Sequence, residues 1–363
     1  MSPLNRRVVH LASGREWRGG QNQVLLLARA LAARRDIEQI VVTGRRTPLE
    51  ERLREAGVPV RSVGWRTGVS IAALAGTLAE VVRAPSLLHA HDAHALTIAG
   101  VAGRLTGSPY LATRRVDFHL RRPTLWRLAA RIIAISDAVQ GVLVSDGIAP
   151  ERIVRVHSGI DLEAVRRTRS GEIRRELGLP LDAPLAVAVG ALVDHKDHAT
   201  LIGAAAALRG RKPELHWVIA GEGPLHAALE RQIATQSLGD RVHLVGHLIE
   251  PLRLVAAAAV FVMSSKAEGL GTSVLDAMAL DVPIAATAAG GIPEMLDRGA
   301  GLLTAPGDSD ALAASVAHIL DDADLRAGLI RQAQNRVEYF SATAMAEGVL
   351  SVYRSIAENV DLK

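Results

Sequence analysis

Short apolar runs alternate with longer amphipathic stretches along nearly the whole chain, the pattern expected of parallel strands joined by crossover helices. In the first half the predicted strands are Arg7–Leu11, Gln39–Thr43, Pro59–Val63, Leu87–His91, Tyr110–Thr113, Ile132–Ser136 and Ile153–Val156. Helical periodicity runs over Gln21–Ala33, Ile71–Val82 and Ala93–Leu105. Around 160–182 the strand signal lapses into a charged stretch holding Arg166, Arg167, Arg169, Arg174 and Arg175. Alternation then restarts, with predicted strands at Leu185–Val189, Leu215–Ala220, Val242–Val245, Val260–Met263, Ile284–Ala286 and Leu302–Leu303. Ala199–Leu208, Pro224–Gln236 and Ser309–Leu320 read as the helices between them, and about Asp324–Glu358 reads as helices alone.

Two doubly wound, Rossmann-like α/β domains are the simplest architecture: one over 1–162, a linker over 163–182, a second over 183–340 and a closing helix over 341–363. A length of 363 residues suits two domains, and 49% hydrophobic residues supply both cores. In such sheets ligands sit beyond the carboxyl ends of the strands, so a cleft between the domains would gather both sets of loops.

The absence of cysteine removes disulfides, cysteine-ligated zinc, iron–sulfur clusters and a thiol nucleophile. The longest apolar run, Leu254–Met263, is far shorter than the roughly 18 residues of a membrane span. Arg6 and Arg7 precede only a short apolar stretch ending near Ala12, without a cleavage site; no signal peptide is read and a cytoplasmic location is expected. The net charge of +4 hides an asymmetry: 23 basic and 13 acidic side chains in residues 1–162 against 19 and 25 in the rest. A basic first half favours anionic lipid, an acidic acceptor or nucleic acid; an arginine-rich codon bias is the plainer explanation, since only four lysines occur.

The segment from Ser264 to Ala279 carries most chemistry: a strand ends at Met263, a loop with Gly269 and Gly271 follows, and an apolar helix begins near Thr272. That arrangement turns unpaired N–H groups and the positive end of a helix dipole toward one point, an anion site. Glu268 precedes the helix and Asp276 lies within its first turns. Ser273–Asp276 also has the spacing of a capping box, in which Asp276 would only close the helix.

With Asp281-Val282-Pro283-Ile284 and Gly290-Gly291-Ile292-Pro293-Glu294 after it, this segment resembles the donor-binding signature of family 4 glycosyltransferases, retaining enzymes of the GT-B fold. Arg18-Gly19-Gly20-Gln21 is similar to the family's N-terminal glycine loop, and Leu88–Asp92 to its His-containing motif. Val156–Asp161 resembles the approach to its linker. Val189–Lys196 and Ala220–Pro224 are similar to its diphosphate and nucleotide loops.

The resemblance implies an acceptor-binding first domain, a nucleotide-sugar-binding second domain and a closing helix packed back toward the first. It implies a metal-independent transfer, with no cofactor beyond the nucleotide sugar as co-substrate, to a glycan or lipid-linked acceptor. Glu268 would bond sugar hydroxyls, and His91 would meet the donor sugar through a ring nitrogen. Lys196 and the helix start at Gly269, Leu270, Gly271 and Thr272 would stabilise the departing diphosphate. Asp276 would hold the ribose, and Gly19, Gly20, Gly221, Glu222, Gly223 and His247 would complete the donor site. An Arg common in the family is Ala191 here, so either Lys196 has help from the Gly271 and Thr272 amides or from Arg114 and Arg115, or Lys196 alone suffices, or the donor is held weakly.

His89, His91 and His94 could alternatively be read as metal ligands, although no further acidic or His ligand is apparent. A dinucleotide-dependent oxidoreductase would want G-x-G-x-x-G after the first strand, which Ser13-Gly14-Arg15-Glu16 and Arg18-Gly19-Gly20 do not provide. A nucleic-acid-binding role draws on the basic half alone, with only 3% aromatic residues to stack on bases. A catalytically silent sugar-nucleotide-binding relative would fit Asp276, where the family more often has Glu, and Ala191.

Overall fold

The computed structural model describes residues 7–34, 36–65, 70–121 and 123–361; Arg6 lies outside them. The chain forms two compact units, one running to Gly159 and taking in the chain from Ser341 onward, the other spanning Ile160–Phe340.

In the first unit seven parallel strands, β1 (Arg7–Ala12), β2 (Glu38–Gly44), β3 (Val60–Val63), β4 (Leu87–Ala90), β5 (Tyr110–Arg114), β6 (Arg131–Ala134) and β7 (Ile153–Arg155), lie in the order β3-β2-β1-β4-β5-β6-β7. All residues of β1 and β4 are buried, as parallel strands covered on both faces require. Three of those buried residues are polar, Arg7, His10 and His89, and the register sets the two histidines side by side. The final helix, Ala342–Asp361, buries Met345, Val349, Tyr353 and Ile356 in one cluster with Val8, Leu27, Leu87 and Ile133. The last stretch of sequence therefore completes a core that the first strand began.

The second unit's sheet runs β10-β9-β8-β11-β12-β13, built from β8 (Leu185–Val189), β9 (His216–Ala220), β10 (Val242–Leu244), β11 (Val260–Met263), β12 (Ile284–Thr287) and β13 (Leu302–Thr304). Trp217, Ile219, Val262, Leu201 and Val316 fill its core.

The charged stretch expected to be a linker is instead folded into the second unit. Leu162–Arg167 and Ile173–Glu176 are helical, and Leu162, Val165, Ile173 and Leu179 are buried. Arg174 donates to the carbonyls of Pro180, Ala183 and Ala257 at 2.9, 2.6 and 3.0 Å. Arginines that face outward or tie down carbonyls masked the apolar positions between them.

In both sheets the strand order reverses once, between β1 and β4 and between β8 and β11. Loops leave in opposite directions at such a point and open a crevice beyond the strand ends, the usual ligand position in doubly wound sheets.

Candidate active site

At the second unit's switch point the loop after β8 turns through Asp194–Lys196 into the helix His198–Leu208, and the loop after β11 leads to the helix Thr272–Ala279. Backbone hydrogen bonds stitch these loops to their neighbours. Gly190 N donates to Ala220 O at 3.0 Å, Leu192 N to Glu222 O at 2.9 Å, Gly221 N to Gly246 O at 2.8 Å and Lys266 N to His195 O at 2.8 Å. Glycine is required where they touch: a Cβ on Gly221 would lie 1.9 Å from Gly190 O, and Gly221 has φ +155°. His198, with its pKa lowered to about 4 by burial, sits under the same turn with Nε2 3.3 Å from Ala191 O.

The Lys196 ammonium and the Glu268 carboxylate form an ion pair, each side chain mostly buried. Glu268 is held from below by its own backbone, whose carbonyl accepts from Gly291 N at 3.0 Å. A Cβ on Gly290 would come within 1.7 Å of that carbonyl oxygen. The adjoining helix starts at Gly271, φ +90°, with no side-chain cap. Val274 N turns back to Gly271 O at 2.9 Å, and a helix start without a side-chain cap is the kind of place where anions bind. Asp276 is the fifth residue of this helix, past the first turn, and does not cap it. Its carboxyl is recessed among protein atoms, and that desolvation lifts its pKa to about 7.

At the first unit's switch point Asp92 caps the helix Ala93–Thr106 by accepting from Ala95 N at 2.9 Å, a cap worth about 1 kcal/mol. The same carboxylate accepts from Ser13 N and Oγ at 2.7 and 2.6 Å, which joins the loops after β1 and β4. Behind it lie three imidazoles. His10 Nδ1 is 3.0 Å from His91 Nε2, with the rings stacked at 5.2 Å, and the His89 and His91 ring centres are 4.1 Å apart. His89 bonds the hydroxyls of Tyr353 and Thr113, both at 2.7 Å, and Arg115 Nη2 reaches His91 Nδ1 at 3.2 Å.

These histidines, not His89, His91 and His94, form the cluster; His94 is exposed. Both nitrogens of His89 and both of His91 already carry hydrogen bonds, so three-fold metal ligation would break most of the network. Burial, as the largest cause, holds the pKa of His89 and His91 well below the usual histidine value and that of His10 at about 3. Arg115 is desolvated to a pKa of about 10, only partly offset by Asp92.

Two family profiles match the chain in succession: glycosyltransferase family 4 over residues 17–164, and glycosyl transferases group 1 over residues 170–336. The chain belongs to the family 4 glycosyltransferases.

The 2-deoxystreptamine glucosyltransferase of Streptomyces kanamyceticus is 29% identical over 365 residues, 85% of this chain and 92% of that protein. The D-inositol 3-phosphate glycosyltransferase of Thermobispora bispora is 30% identical over 223 residues, 58% of this chain. That match spans about half of the relative's length (52%), and the match to the alpha-D-kanosaminyltransferase of S. kanamyceticus spans 61% of it. HepE of Anabaena, solved in complex with UDP, superposes with a TM-score of 0.84 at 20% identity, covering 96% of this chain and all of that one. A glycosyltransferase from Rickettsia africae reaches 0.86 at 17% identity, covering 98% and 99%. The fold is that of the GT-B glycosyltransferases.

In this glycosyltransferase the expected residues fall into two groups. The second unit gathers Lys196, Gly221, Glu222, Gly223, Glu268, Gly269, Leu270, Gly271 and Thr272 on loops at the same strand ends. Leu270 is buried, and Glu222 holds the turn through its carbonyl. His247 is exposed, next to the Gly246 carbonyl that anchors Gly221.

The first unit places Gly19 and Gly20 at the uncapped start of the helix Gly19–Ala32, where a Cβ on Gly20 would lie 3.8 Å from Arg115 Cδ. Arg114 is occupied elsewhere: it donates to Phe118 O and lies 5.6 Å from the Trp126 ring. His91 differs from expectation, because both ring nitrogens are engaged by protein and neither is offered to a sugar. Sequence reasoning missed His10. The available signal was a histidine between Val9 and Leu11, inside the apolar run that follows Arg7.

Proposed function

We propose that the protein is a metal-independent, retaining glycosyltransferase. It moves a sugar from a UDP- or GDP-linked donor to a hydroxyl of a glycan or lipid-linked acceptor, in cell-envelope or polysaccharide synthesis. The observation that carries this reading is the Lys196–Glu268 pair beside the uncapped helix start at Gly271. Breaking the anomeric C–O bond leaves negative charge on the diphosphate. A preorganised ammonium and amide dipoles stabilise that charge more in the transition state than in the ground state. As the diphosphate enters, Lys196 exchanges Glu268 for phosphate oxygen, and the freed carboxylate meets sugar hydroxyls beside the developing oxocarbenium centre.

Asp276 takes the ribose hydroxyls; with a pKa near 7 it can donate as well as accept there. The complex of HepE with UDP supports a nucleotide ligand for the fold. In the first unit the acceptor loops hold Arg115, whose guanidinium meets an anionic substrate group, with His91 acting through it. The basic first half supports a peripheral position on an anionic membrane face, and no described helix is long and apolar enough to cross one.

A thermal-shift panel of UDP, GDP, ADP and their sugar conjugates tests the donor class, because a ligand of the native state raises apparent stability. A rise with one nucleoside diphosphate names the base, and no rise with any of them defeats the proposal. NMR of the product's anomeric configuration tests retention: an inverted product overturns that part.

A further inference from the structure

Arg115 can only donate, so His91 Nδ1 must accept and the His91 proton resides on Nε2. That N–H points at His10 Nδ1, 3.0 Å away, which must accept in turn, so the His10 proton sits on its own Nε2. That nitrogen is buried and faces the Gln39 side chain, whose Nε2 donates to Ala28 O at 2.6 Å and so leaves Oε1 as the acceptor. Hydrogen bonds therefore run in one direction, from Arg115 through His91 to His10. The stacked ring of His10 and the hydroxyl-tethered His89 leave His91 little room to turn.

We propose that His10 is a positioning residue: by accepting from His91 Nε2 it locks the tautomer whose Nδ1 holds Arg115, and so fixes that guanidinium on a side chain whose Cδ lies beside Gly20 at the uncapped helix start. The ligand class this serves is an oxyanion, phosphate or carboxylate, met jointly by a guanidinium and helix amides. This deepens the reading of the protein as a glycosyltransferase and rests on it for the catalytic consequence, whereas the tautomer itself does not depend on it.

Two variants separate positioning from packing. His10→Phe keeps a flat ring but has no acceptor. His10→Asn loses ring volume yet places Oδ1 where Nδ1 stood. Nitrogen-15 NMR of histidine-labelled, ligand-free protein reads the His91 tautomer directly. The wild type and His10→Asn should show His91 protonated on Nε2, and His10→Phe should show a shifted or mixed tautomer.

With a nucleotide sugar that the panel identifies, His10→Phe should lower kcat/KM by about tenfold or more, the range seen when an outer orienting partner is lost, and His10→Asn should recover most of it. UDP affinity tells the source of the oxyanion: a value within about twofold of wild type places it on the acceptor, and a larger loss places it on the donor diphosphate. An unchanged His91 signature in His10→Phe, or equal losses in both variants, would overturn the proposal. If no nucleotide sugar binds or turns over, the functional reading fails while the NMR result still decides the role of His10.

Discussion

Lys196 and Glu268 are 72 positions apart in sequence, yet their side chains meet in an ion pair at the strand ends of β8 and β11. Those two strands are adjacent at the reversal of the sheet order. The topology thus brings the cation and the carboxylate together before any substrate arrives. The pair keeps both charges compensated in a recessed place where an isolated one would be costly.

Replacement of Lys196 by Ala should weaken nucleoside diphosphate binding by roughly 10- to 100-fold, the value of one charge-assisted hydrogen bond. Isothermal titration checks it. Unchanged affinity would place the diphosphate elsewhere.

Gly290→Ala should disturb Glu268 without touching its side chain. The new Cβ would lie 1.7 Å from Glu268 O, and φ at Gly290 is +51°, so the backbone must move. A stability loss above about 1 kcal/mol by urea titration is expected, with turnover reduced beyond what the unfolded fraction explains.

Asp276 makes an unusual contribution to pH dependence. Its folded pKa, about 7, lies above the ordinary aspartate value of 3.8, so its proton favours the native state. That contribution is complete below about pH 3.8 and is lost as pH rises through about 7. Asp276→Asn should remove this fall, leaving the variant relatively more stable than wild type at pH 8 than at pH 5 in melting experiments. Nucleotide affinity should drop in the same variant, because a carboxylate for the ribose is lost.

His10 acts in the opposite sense. Burial holds its pKa at about 3 against the ordinary histidine value of 6.5, so the unfolded chain takes up the proton first on acidification. Stability from this group is full above about pH 6.5 and declines as pH falls toward about 3. Melting temperatures of His10→Phe should fall less steeply between pH 6.5 and 4.5 than those of wild type.

Most strands were legible because parallel, doubly covered strands are continuous apolar runs, and the glycine loop before Thr272 was legible because its turn takes a positive φ at Gly271, +90°. The folded stretch after Gly159 was not, since its apolar positions are few and lie among arginines. The histidine cluster was hidden for a different reason. His10 and His89 become neighbours only through the β1–β4 pairing, a relation between strands 79 residues apart that local periodicity does not encode. The engagement of both His91 nitrogens follows from that pairing and from Arg115 at the end of the next strand.

The most direct test of the account is release of nucleoside diphosphate from a panel of UDP-, GDP- and ADP-sugars by wild type and by Glu268→Gln. The wild type should release it from one donor class, and the variant should lose at least about 100-fold in turnover while keeping its fold and binding the free nucleoside diphosphate. Turnover by Glu268→Gln at the wild-type rate, or no release by wild type from any donor, would contradict it.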